Sequence, residues 1–562
     1  MIWQQIYNPF SSMVISTLFA AVPVVVMLVG LGFLHLKAHW AAGLGLLAAL
    51  AIAVLAYGMP TEMAAKAALL GGLTGLLPIG WIVLNIIFLH RMANDSGACK
   101  IQEDTIANVT QDRRLQLLLI AFSYGAFFEG AAGFGTPVAV TAAMLIGLGF
   151  SPLAASGLSL IANTAPVAYG ALGTPIITMA KVHGYDVMEL SAMVGRQLPF
   201  FSVLVPFWLI WAFAGRKGMM EIWPAILVSG LSFAIPQFLV SNYIGPELVD
   251  VIAAISSMVC LILFLRVWKP KTIWTSTSLK GHKVEEALAL SNQAAGKPAV
   301  VAQFKHHSAA AVWRAWLPWL MLTVFVFAWG LPVVKSALNA IFAPAFPIAG
   351  LHQLIEKMPP AVPNPTKEGA VYTFTLLSAT GTGILLSAIL GGLFMKYNPL
   401  QLVQAYGRTL WRVRYSLLTI VLMLGLGTLT RYSGLDTTLG LAFANTGMFY
   451  PFFGTLMGWL GVALTGSDTA SNVLFGGMQK VAAEQLGLSP NLMGAANSSG
   501  GVMGKMIDAQ SIVVASTATG WFNHEGDILR YVFFHSLALA CLVGLFVTLQ
   551  AYVYPFTLMV IP

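Results

Sequence analysis

Two acidic residues lie in segments that are otherwise apolar and rich in small side chains. Glu129 stands in FFEGAAGFGTPVA, residues 127–139, and Asp468 stands in LTGSDTASN, residues 464–472. A carboxyl group in an apolar segment is costly unless it faces protein or water, so within a membrane it marks a functional site. A carboxyl group that gains and loses a proton there could couple a proton to a moving anion.

Two further residues join Glu129 and Asp468 as candidate proton-coupling groups. Asp508 follows the second acidic segment, and His535 lies in the last apolar run. If such groups take up a proton when an anion binds, the two cross together and no unpaired charge moves. For His535, a hydrogen-bonded histidine of the protein core is the simpler interpretation.

Three cations also lie in or next to apolar segments. Lys505, between two small or apolar neighbours, could attract a carboxylate substrate, or it could form an ion pair with Asp468 or Asp508. Arg196 and Arg431 are better explained as side chains that reach the membrane interface.

Amide and hydroxyl side chains recur after each acid, in ANT at residues 162–164 and in ANSS at residues 496–499. A Gly-rich run follows each group, so we expect these side chains at helix breaks, where free N–H groups bind anions. Capping or bridging of helices is the alternative role. The predicted substrate-binding residues are Asn163, Thr164, Ser467, Thr469, Asn497, Ser498, Ser499 and Lys505.

The composition indicates an all-α polytopic membrane protein. Of 562 residues, 58% are hydrophobic and 9% are charged, whereas soluble domains have about 25% charged residues. The net charge of +8 comes from basic residues in short loops, which is typical of membrane proteins rather than of nucleic-acid binding. The lipid bilayer is therefore an expected partner and nucleic acid is not.

Apolar runs predict 12 to 16 membrane segments. Uninterrupted runs cover residues 12–35, 40–58, 68–90, 192–213, 222–242, 250–267, 314–333, 371–395, 415–432 and 531–557. Two regions, 116–180 and 438–520, are broken by Gly and Pro. Such breaks are typical of discontinuous helices or re-entrant hairpins that line a protected cavity.

Loop charges predict the orientation. Lys and Arg are concentrated in the loop 91–115, in the turn 396–414 and in the linker 268–313, which we place in the cytoplasm. A short interfacial helix is expected in the loop 91–115. The N-terminus and the Pro-rich segment 334–370 are then outside.

The linker divides the chain into two halves, 1–267 and 314–562, each with one broken region. Glu129 is followed 34 residues later by Asn163, and Asp468 is followed 29 residues later by Asn497. An acid, an Asn–hydroxyl pair and glycines in both halves would be expected of a transporter built from inverted repeats. Chance matches of this size are also common in chains rich in Gly and Ala.

Enzyme motifs are missing from the sequence. There is no HExxH, GxSxG or GxxxxGK[ST], and Gly130–Gly135 lacks the preceding strand that a dinucleotide site needs. The three cysteines have no metal-ligand spacing. We therefore expect no catalytic residues, no cofactor and no metal site, and coupling to an ion gradient rather than to ATP.

Several long motifs, in the same order along the chain, resemble the bacterial L-lactate permease family, which includes the glycolate permeases. They are FEGAAGFGTPVA, LIANTAPVAYGALGTPI, VGRQLPF, SNYIGPEL, WLGVALTGSDTASNVLFG and GVMGKMI followed by AQS. The similarity runs from WQQIYNP near the start to LQAYV near the end. Thr136 and the pair Asp508–Ala509 depart from the family pattern, and Asp508 adds a charge beside Lys505.

The resemblance implies a proton-coupled symporter of the bacterial inner membrane. It would import L-lactate and related small 2-hydroxymonocarboxylates, D-lactate and glycolate, on a fold similar to the ion transporter superfamily with inverted repeats and re-entrant hairpins. Its partners would be that substrate and protons, and a homo-oligomer is compatible with the sequence. Sodium coupling through Ser467, Asp468 and Thr469, a membrane-embedded enzyme and a passive channel are the alternatives.

Overall fold

Helices make up most of the molecule, and each develops from an apolar run of the sequence. The computed structural model describes residues 2–562 except 33, 35, 132, 134–135, 277–278, 280–304, 363 and 522–523. Much of the predicted linker therefore lies outside the described residues, as do Phe134 and Gly135 of the first acidic segment.

The helices alternate with short connections. Those of the first half are α1 Met13–Gly32, α2 Ala38–Leu55, α3 Thr61–Thr74, α4 Trp81–Asp95, α5 Ala98–Ala107, α6 Arg113–Leu117, α7 Gly125–Ala131, α8 Thr136–Gly147, α9 Pro152–Ala162, α10 Gly170–His183, α11 Val187–Val194, α12 Leu198–Glu221, α13 Trp223–Tyr243 and α14 Val249–Val267. Those of the second half are α15 Ala309–Gly330, α16 Pro332–Ile341, α17 Thr380–Phe394, α18 Pro399–Ser433, α19 Leu435–Ala444, α20 Tyr450–Thr465, α21 Asp468–Gln485, α22 Pro490–Gly504, α23 Ala509–Ala518 and α24 Glu525–Tyr552. Wider π-helical turns, Gly75–Gly80 and Leu118–Tyr124, join α3 to α4 and α6 to α7, and single tight turns cover Val167–Tyr169, Gly447–Phe449, Lys505–Ile507 and Phe556–Met559.

Five short strands form two small sheets at one end of the bundle. The strands are β1 Trp3–Gln4, β2 Ala345–Pro347, β3 Ile355–Lys357, β4 Thr366–Lys367 and β5 Val371–Thr373. Strand β3 lies between β1, which is parallel to it with Trp3 opposite Ile355, and β4, which is antiparallel. Strands β2 and β5 pair antiparallel.

Polar side chains start several helices because they accept hydrogen bonds from N–H groups that have no partner within the helix. Ser151 starts α9, Asp186 starts α11 and Ser489 starts α22 in this way. Asn398 and Gln401 form a reciprocal capping box at the start of α18. These caps fix where α9, α11, α18 and α22 begin.

Seven helical stretches among the described residues are long and apolar enough to cross a bilayer, and two of them are the continuous pairs α3–α4 and α11–α12. The number is eight if the bent pair α9–α10 counts as one span. The chain is a multi-pass membrane protein. This number is below the 12 to 16 segments predicted from the sequence, because several apolar runs, inside and outside the broken regions, form helices shorter than 18 residues. Five further apolar helices of 10–17 residues are found among the described residues.

The 35-residue helix α18, about 52 Å long, connects two opposite ends of the bundle. At the sheet end, which carries strands β1–β5, Gln5 donates hydrogen bonds to the carbonyls of Arg431 and Tyr432. The linker end carries residues 96–112, 268–276 and 305–308. There the Arg114 guanidinium donates to Glu221 and to the carbonyl of Thr272.

The first broken region forms a hairpin that opens toward the linker end. Its first arm runs from Arg113 through α7, and its second arm, α8, returns to Gly147. Phe150, just beyond, packs against Phe213 of α12 with ring centroids 5.3 Å apart. Helix α9 then enters from the linker end and α10 continues to the sheet end, with a bend of 63° between them.

The second broken region forms a hairpin that opens toward the sheet end. Its arms are α20 and α21, and Gln485 at the end of α21 donates to the carbonyl of Pro360 in the sheet segment. Helix α22 enters from the same end and α23 continues toward the linker end. There Thr519, just after α23, lies 3.1 Å from Ser156 of α9 between hydroxyl oxygens.

Three local expectations differ from the structure. Residues 399–414, predicted as a basic turn, are the first turns of α18, because the Asn398 cap starts a helix there. The predicted loop 334–370 contains most of α16 and three strands. The span predicted at 371–395 begins only at Thr380, after strand β5. The short helix predicted in the loop 91–115 is confirmed as α5.

Candidate functional site

A cavity of about 180 Å³ lies where the breaks of the two hairpins face helix α18. Its walls come from both halves of the chain. Its polar lining residues are Glu129, Thr174, Ser416, Thr419, Thr465, Ser467, Asp468, Thr469 and Lys505. Pockets for drug-sized ligands measure about 300–1,000 Å³, so this cavity suits a molecule of few heavy atoms.

Glu129 reaches the cavity from the end of α7. The side-chain amide of Asn163 donates to Glu129 Oε2 over 3.1 Å. A Cβ atom at Gly170 would lie 2.5 Å from Glu129 Oε1, so only glycine leaves room for the carboxyl group at this position. Gly133 turns the chain after α7 with a φ of +58°, a conformation that glycine adopts without strain.

The start of α10 has an unusual backbone where it lines the cavity. Ala171, Leu172 and Gly173 have φ angles of +44°, +57° and +74°. The left-handed region is costly for Ala and Leu, and residues held there cluster at ligand sites. This segment places Gly170 and Ala171 against Glu129 and turns α10 toward the sheet end.

Asp468 is the first residue of α21, where free backbone N–H groups and the helix dipole favour a negative charge. Its Oδ2 atom accepts hydrogen bonds from the Ser498 hydroxyl at 2.5 Å and from the Asn472 amide at 3.3 Å. Its Oδ1 atom has no hydrogen-bond partner among the described residues. Ser467 precedes it as the helix cap and accepts from the Ala470 N–H.

A series of hydrogen-bonded buried amides starts at Asp468 and connects α21 with α22. Asn497 donates to Asn472 Oδ1 at 2.9 Å, and Gln479 donates to Asn497 Oδ1 at 3.1 Å. The Tyr450 hydroxyl closes the chain on Gln479 Oε1 at 2.8 Å. These bonds fix the orientation of Asn472 and therefore of the Asp468 carboxyl group.

Lys505 joins the two breaks of the second half. Its Nζ atom donates to the Gly466 carbonyl at 2.6 Å, at the tip of the second hairpin. The same atom lies 3.3 Å from Asp508 Oδ2. Asp508 also caps α23 by accepting from the Ser511 N–H at 2.7 Å. Lys505 is therefore an ion-paired cation that still lines the cavity.

The predicted site residues fall into two groups. Glu129, Ser467, Asp468, Thr469 and Lys505 line the cavity together. The remainder do not line it: Asn163, Thr164, Asn497, Ser498, Ser499, Asp508 and His535. Asn163, Ser498 and Asp508 each contact a residue that does, and the Thr164 hydroxyl bonds locally to the Ile161 carbonyl.

One expectation about these residues is wrong. Asn497, Ser498 and Ser499 do not lie at a helix break, because α22 continues without interruption to Gly504 and the break comes at Lys505–Asp508. Glycines on α22, such as Gly501, keep the helix close to Asp468 instead. The role of these three residues as substrate donors stays a prediction.

His535 and the two arginines have ordinary hydrogen-bond partners. His535 Nδ1 accepts from the Trp208 indole at 3.0 Å, in a half-buried position on α24. Arg196 donates to Asn242 and to the Met559 carbonyl. Arg431 donates to the Val182 carbonyl and to Glu368. The interfacial position of the two arginines stays a prediction.

Sequence reasoning missed several residues near the cavity. Thr174, Ser416, Thr419 and Thr465 add hydroxyl groups to its wall. Asp250, at the start of α14, is buried beside Gly130, and neither of its carboxyl oxygens has a hydrogen-bond partner among the described residues. The sequence signal for Asp250 was an acid at the edge of an apolar run. Charged residues are common where a membrane helix begins, so this position did not indicate a site.

Comparison with known proteins identifies the chain. The L-lactate permease family matches residues 16–554. The glycolate permease GlcA of Escherichia coli (strain K12) is 45% identical over 98% of both chains. The L-lactate permease of Salmonella typhimurium is 44% identical over 98% of both chains, and that of Bacillus subtilis is 44% identical over 98% of this chain and 99% of the relative.

Among solved structures, the crystal structure of the YdaH transporter of Alcanivorax borkumensis covers 86% of each chain. Its sequence is 13% identical and the TM-score is 0.42. The sequence relatives are named permeases, which are transporters rather than enzymes. Because the family match and these identities cover nearly the whole chain, the protein belongs to the L-lactate permease family.

Proposed function

We propose that this chain is a proton-coupled symporter that imports L-lactate and related small 2-hydroxymonocarboxylates, including D-lactate and glycolate, across the bacterial inner membrane. The observation that carries this proposal is the shared cavity, in which two carboxyl groups and a lysine from both halves of the chain meet. The relatives named L-lactate permease and glycolate permease support the choice of substrate class.

Each polar group of the cavity has a role in this proposal. Lys505 attracts the substrate carboxylate and balances its charge, while Ser467 and Thr469 donate hydrogen bonds to the carboxylate or hydroxyl group. Glu129 and Asp468 carry the proton. Lactate has a carboxylate and a hydroxyl group that form hydrogen bonds, and one methyl group. These match a small cavity whose wall has both hydroxyl groups and apolar side chains.

The residues behind the cavity hold these groups in place. Asn163 orients Glu129, while Ser498 and Asn472 orient Asp468, each through the hydrogen bonds described above. Asn497 acts on Asp468 through Asn472. Asp508 sets how strongly Lys505 attracts an anion, because the two are 3.3 Å apart.

We further propose that the two halves, residues 1–267 and 314–562, are inverted repeats joined by the linker 268–313, as in the ion transporter superfamily. The opposite directions of the two hairpins support this, since the first opens toward the linker end and the second toward the sheet end. Each hairpin is followed by a broken helix pair of opposite direction, α9–α10 and α22–α23. By the charge rule, the linker end is cytoplasmic and the sheet end is outside.

Uptake of labelled L-lactate into proteoliposomes tests the proposal. In sodium-free buffer, a gradient of one pH unit should drive about tenfold accumulation if one proton accompanies each lactate. Glu129→Gln and Asp468→Asn should each abolish it. Asp95→Asn, at an exposed acid at the end of α4, is the matched control and should accumulate lactate like the native protein.

The contradicting results are distinct. Unchanged accumulation in both cavity variants would refute the proton assignment, and accumulation that needs sodium would favour the sodium symporter. Recovery of chemically altered lactate would indicate an enzyme. Competition by unlabelled D-lactate and glycolate at two pH values would then rank the substrates. The methyl group that glycolate lacks is worth about 1–3 kcal/mol of binding free energy in a pocket.

A further inference from the structure

A second pair of ionisable residues lies outside the cavity, toward the sheet end. His183 ends α10 and Asp436 lies in the first turn of α19. His183 Nδ1 and Asp436 Oδ2 are 3.5 Å apart, and the side chains are only 1% and 7% exposed. Sequence analysis named neither residue, and the transport proposal above does not use them.

The hydrogen bond of His183 leaves its Nδ1 atom facing Asp436. His183 Nε2 lies 3.0 Å from the Val473 carbonyl oxygen. A carbonyl only accepts, so Nε2 carries a hydrogen. Neither His183 Nδ1 nor Asp436 Oδ2 has a hydrogen-bond partner among the described residues. Without a proton between them, two acceptors would face each other in a buried place.

The neighbouring helix is shaped to admit this pair. Gly476 and Gly477 of α21 face it, and a Cβ atom at Gly476 would lie 2.6 Å from His183 Cδ2. A Cβ atom at Gly477 would lie 2.9 Å from His183 Nδ1 and would collide with the Asp436 carboxyl group. Two adjacent glycines therefore let α10, α19 and α21 meet around the His183 and Asp436 side chains.

The pair also joins helices that line the cavity. Helix α10 contributes Thr174 and Pro175 to the wall, and α21 contributes Asp468 and Val473. Val473 is the residue whose carbonyl accepts from His183. Separation of α10 from α21 at the sheet end would therefore change the shape of the cavity wall.

The charged groups near His183 and Asp436 have hydrogen-bond or ion-pair partners of their own. Arg431 of α18 bonds the Val182 carbonyl and Glu368, and Lys357 of the sheet bonds Glu368 at 2.5 Å. Lys480 of α21 donates to the His183 and Gly184 carbonyls and lies over the Tyr185 ring, near Glu484. No other described carboxylate or cation contacts the His183 or Asp436 side chain by an ion pair.

We propose that the His183–Asp436 pair is a proton-binding site that positions α10 against α21, so that the sheet end of the cavity stays closed while the pair holds its proton. When the proton leaves, His183 Nδ1 and Asp436 Oδ2 face each other as two acceptors, so α10 moves away from α19 and its contact with α21 at Val473 is weakened. The inference rests on the proposed substrate cavity but not on proton coupling by Glu129 and Asp468. His183 and Asp436 are positioning residues, because neither lines the cavity.

Accessibility of a cysteine in the cavity tests this directly. The three native cysteines are free, so each is replaced by Ser and Thr174→Cys is added on the cavity wall of α10. A membrane-impermeant maleimide is applied to right-side-out and to inverted vesicles. Labelling rates are compared between the native pair and Asp436→Asn, whose amide can donate to His183 Nδ1 at any pH.

The ratio of the native rate to the Asp436→Asn rate cancels the pH dependence of the thiol itself. From the sheet end, this ratio should rise severalfold as the pH rises and the proton leaves the pair. His183→Gln can still donate to Val473 but cannot take up a proton, so the ratio of its rate to the Asp436→Asn rate should not change with pH. A ratio that stays flat would overturn the inference.

The matched control is the exposed pair of His524 and Asp527, with 2.9 Å between His524 Nδ1 and Asp527 Oδ2. Asp527→Asn should label like the native protein, and a response equal to that of Asp436→Asn would overturn the inference. The lactate accumulation assay separates the two proposals. Accumulation without a labelling response refutes only the pair, and a labelling response without accumulation refutes only proton coupling.

Discussion

Lys505 is the one cation among the described residues that line the cavity. It contacts the Gly466 carbonyl at the tip of the second hairpin and Asp508 at the start of α23. Its charge therefore has two surroundings. It holds the tip of the second hairpin and the start of α23 together, and it faces the cavity with Glu129 and Asp468. A buried cation with one acidic partner at 3.3 Å retains only part of its attraction for a substrate anion.

Substitutions at this pair should separate these two effects of the charge. Lys505→Met leaves Asp508 buried without a counter-charge, which should destabilise the fold by about 3–5 kcal/mol. Lys505→Met combined with Asp508→Asn should restore stability, because Asn can still cap α23, but not lactate uptake. Thermal unfolding in detergent and initial uptake rates measure the two effects.

Asp508→Asn alone gives the complementary measurement. It leaves Lys505 without its acidic partner, so the KM for lactate should fall while the cap is kept. A double variant that transports lactate at the native rate would show that Lys505 has only a structural role.

At the residue scale, the sequence singled out acids and cations in apolar surroundings. Three of them, Glu129, Asp468 and Lys505, line one cavity together with Ser467 and Thr469, the neighbours of Asp468. The sequence could not identify Asp250, His183 or Asp436. Each lies near the end of a helix, where ionisable residues are common and carry no signal. The contact of His183 with Asp436 joins residues far apart in the chain, which composition and spacing do not encode.

At the scale of elements, the start of α10 has a strained backbone, because three successive residues there have positive φ angles. Ala171 and Leu172 adopt a conformation that costs about 1–2 kcal/mol per residue, and Gly173 approaches the Pro246 carbonyl. A Cβ atom at Gly173 would lie 2.7 Å from that carbonyl oxygen. Neighbouring packing must hold this segment in place.

Gly173→Ala should therefore destabilise the protein by more than about 1 kcal/mol, since it adds both a left-handed alanine and a backbone clash. Gly407→Ala is the control. Gly407 lies inside α18 with nothing within 4 Å of an added Cβ atom, so this change should stabilise by about 0.5–1 kcal/mol. Thermal unfolding of the two variants checks the prediction, and equal effects of the same sign would contradict it.

The broken regions were predictable because Gly and Pro interrupt apolar runs there. Their breaks were placed less well in the second half, where Gly500 and Gly501 suggested a break but serve close packing against Thr455 and Asp468. Glycine has both uses in membrane helices, and only the neighbouring helix decides between them. The sequence therefore located the two regions but not the residue at which each helix stops.

At the scale of the whole molecule, Glu368 fastens the sheet segment to the helix bundle. It accepts ion pairs from Lys357 of the sheet at 2.5 Å and from Arg431 of α18 at 3.1 Å. Burial alone would raise the pKa of Glu368, but the two cations outweigh it and lower the pKa below its usual value.

A lowered pKa in the folded state fixes the sign of the pH effect. The stabilisation is present above the unfolded-state pKa of about 4.3 and is lost as the pH falls through the lower folded-state pKa. The melting temperature should therefore fall between about pH 5 and about pH 3, and less steeply in Glu368→Gln. Glu356→Gln, on the same sheet, is the control, and an equal flattening there would contradict the assignment.

The number of membrane crossings was the least predictable property of the whole molecule. Helix α18 contains a basic stretch that the sequence predicted as a turn, and the broken regions consist of several short helices. Hydropathy counts apolar residues but not the direction in which a helix leaves a break. Long helices such as α12, α13 and α14 were predicted well, because their apolar runs are continuous.

The parallel pairing of β1 with β3 also bears on biogenesis. Trp3 leaves the ribosome long before its partner Ile355, and at 5–20 residues per second the interval is about 20–70 s. During that time the first strand has no edge to join, although its backbone groups are ready to bond. This pairing can therefore form only after more than half of the polypeptide has been synthesised. A translation that stalls before this point would leave the N-terminal residues without their partner strand.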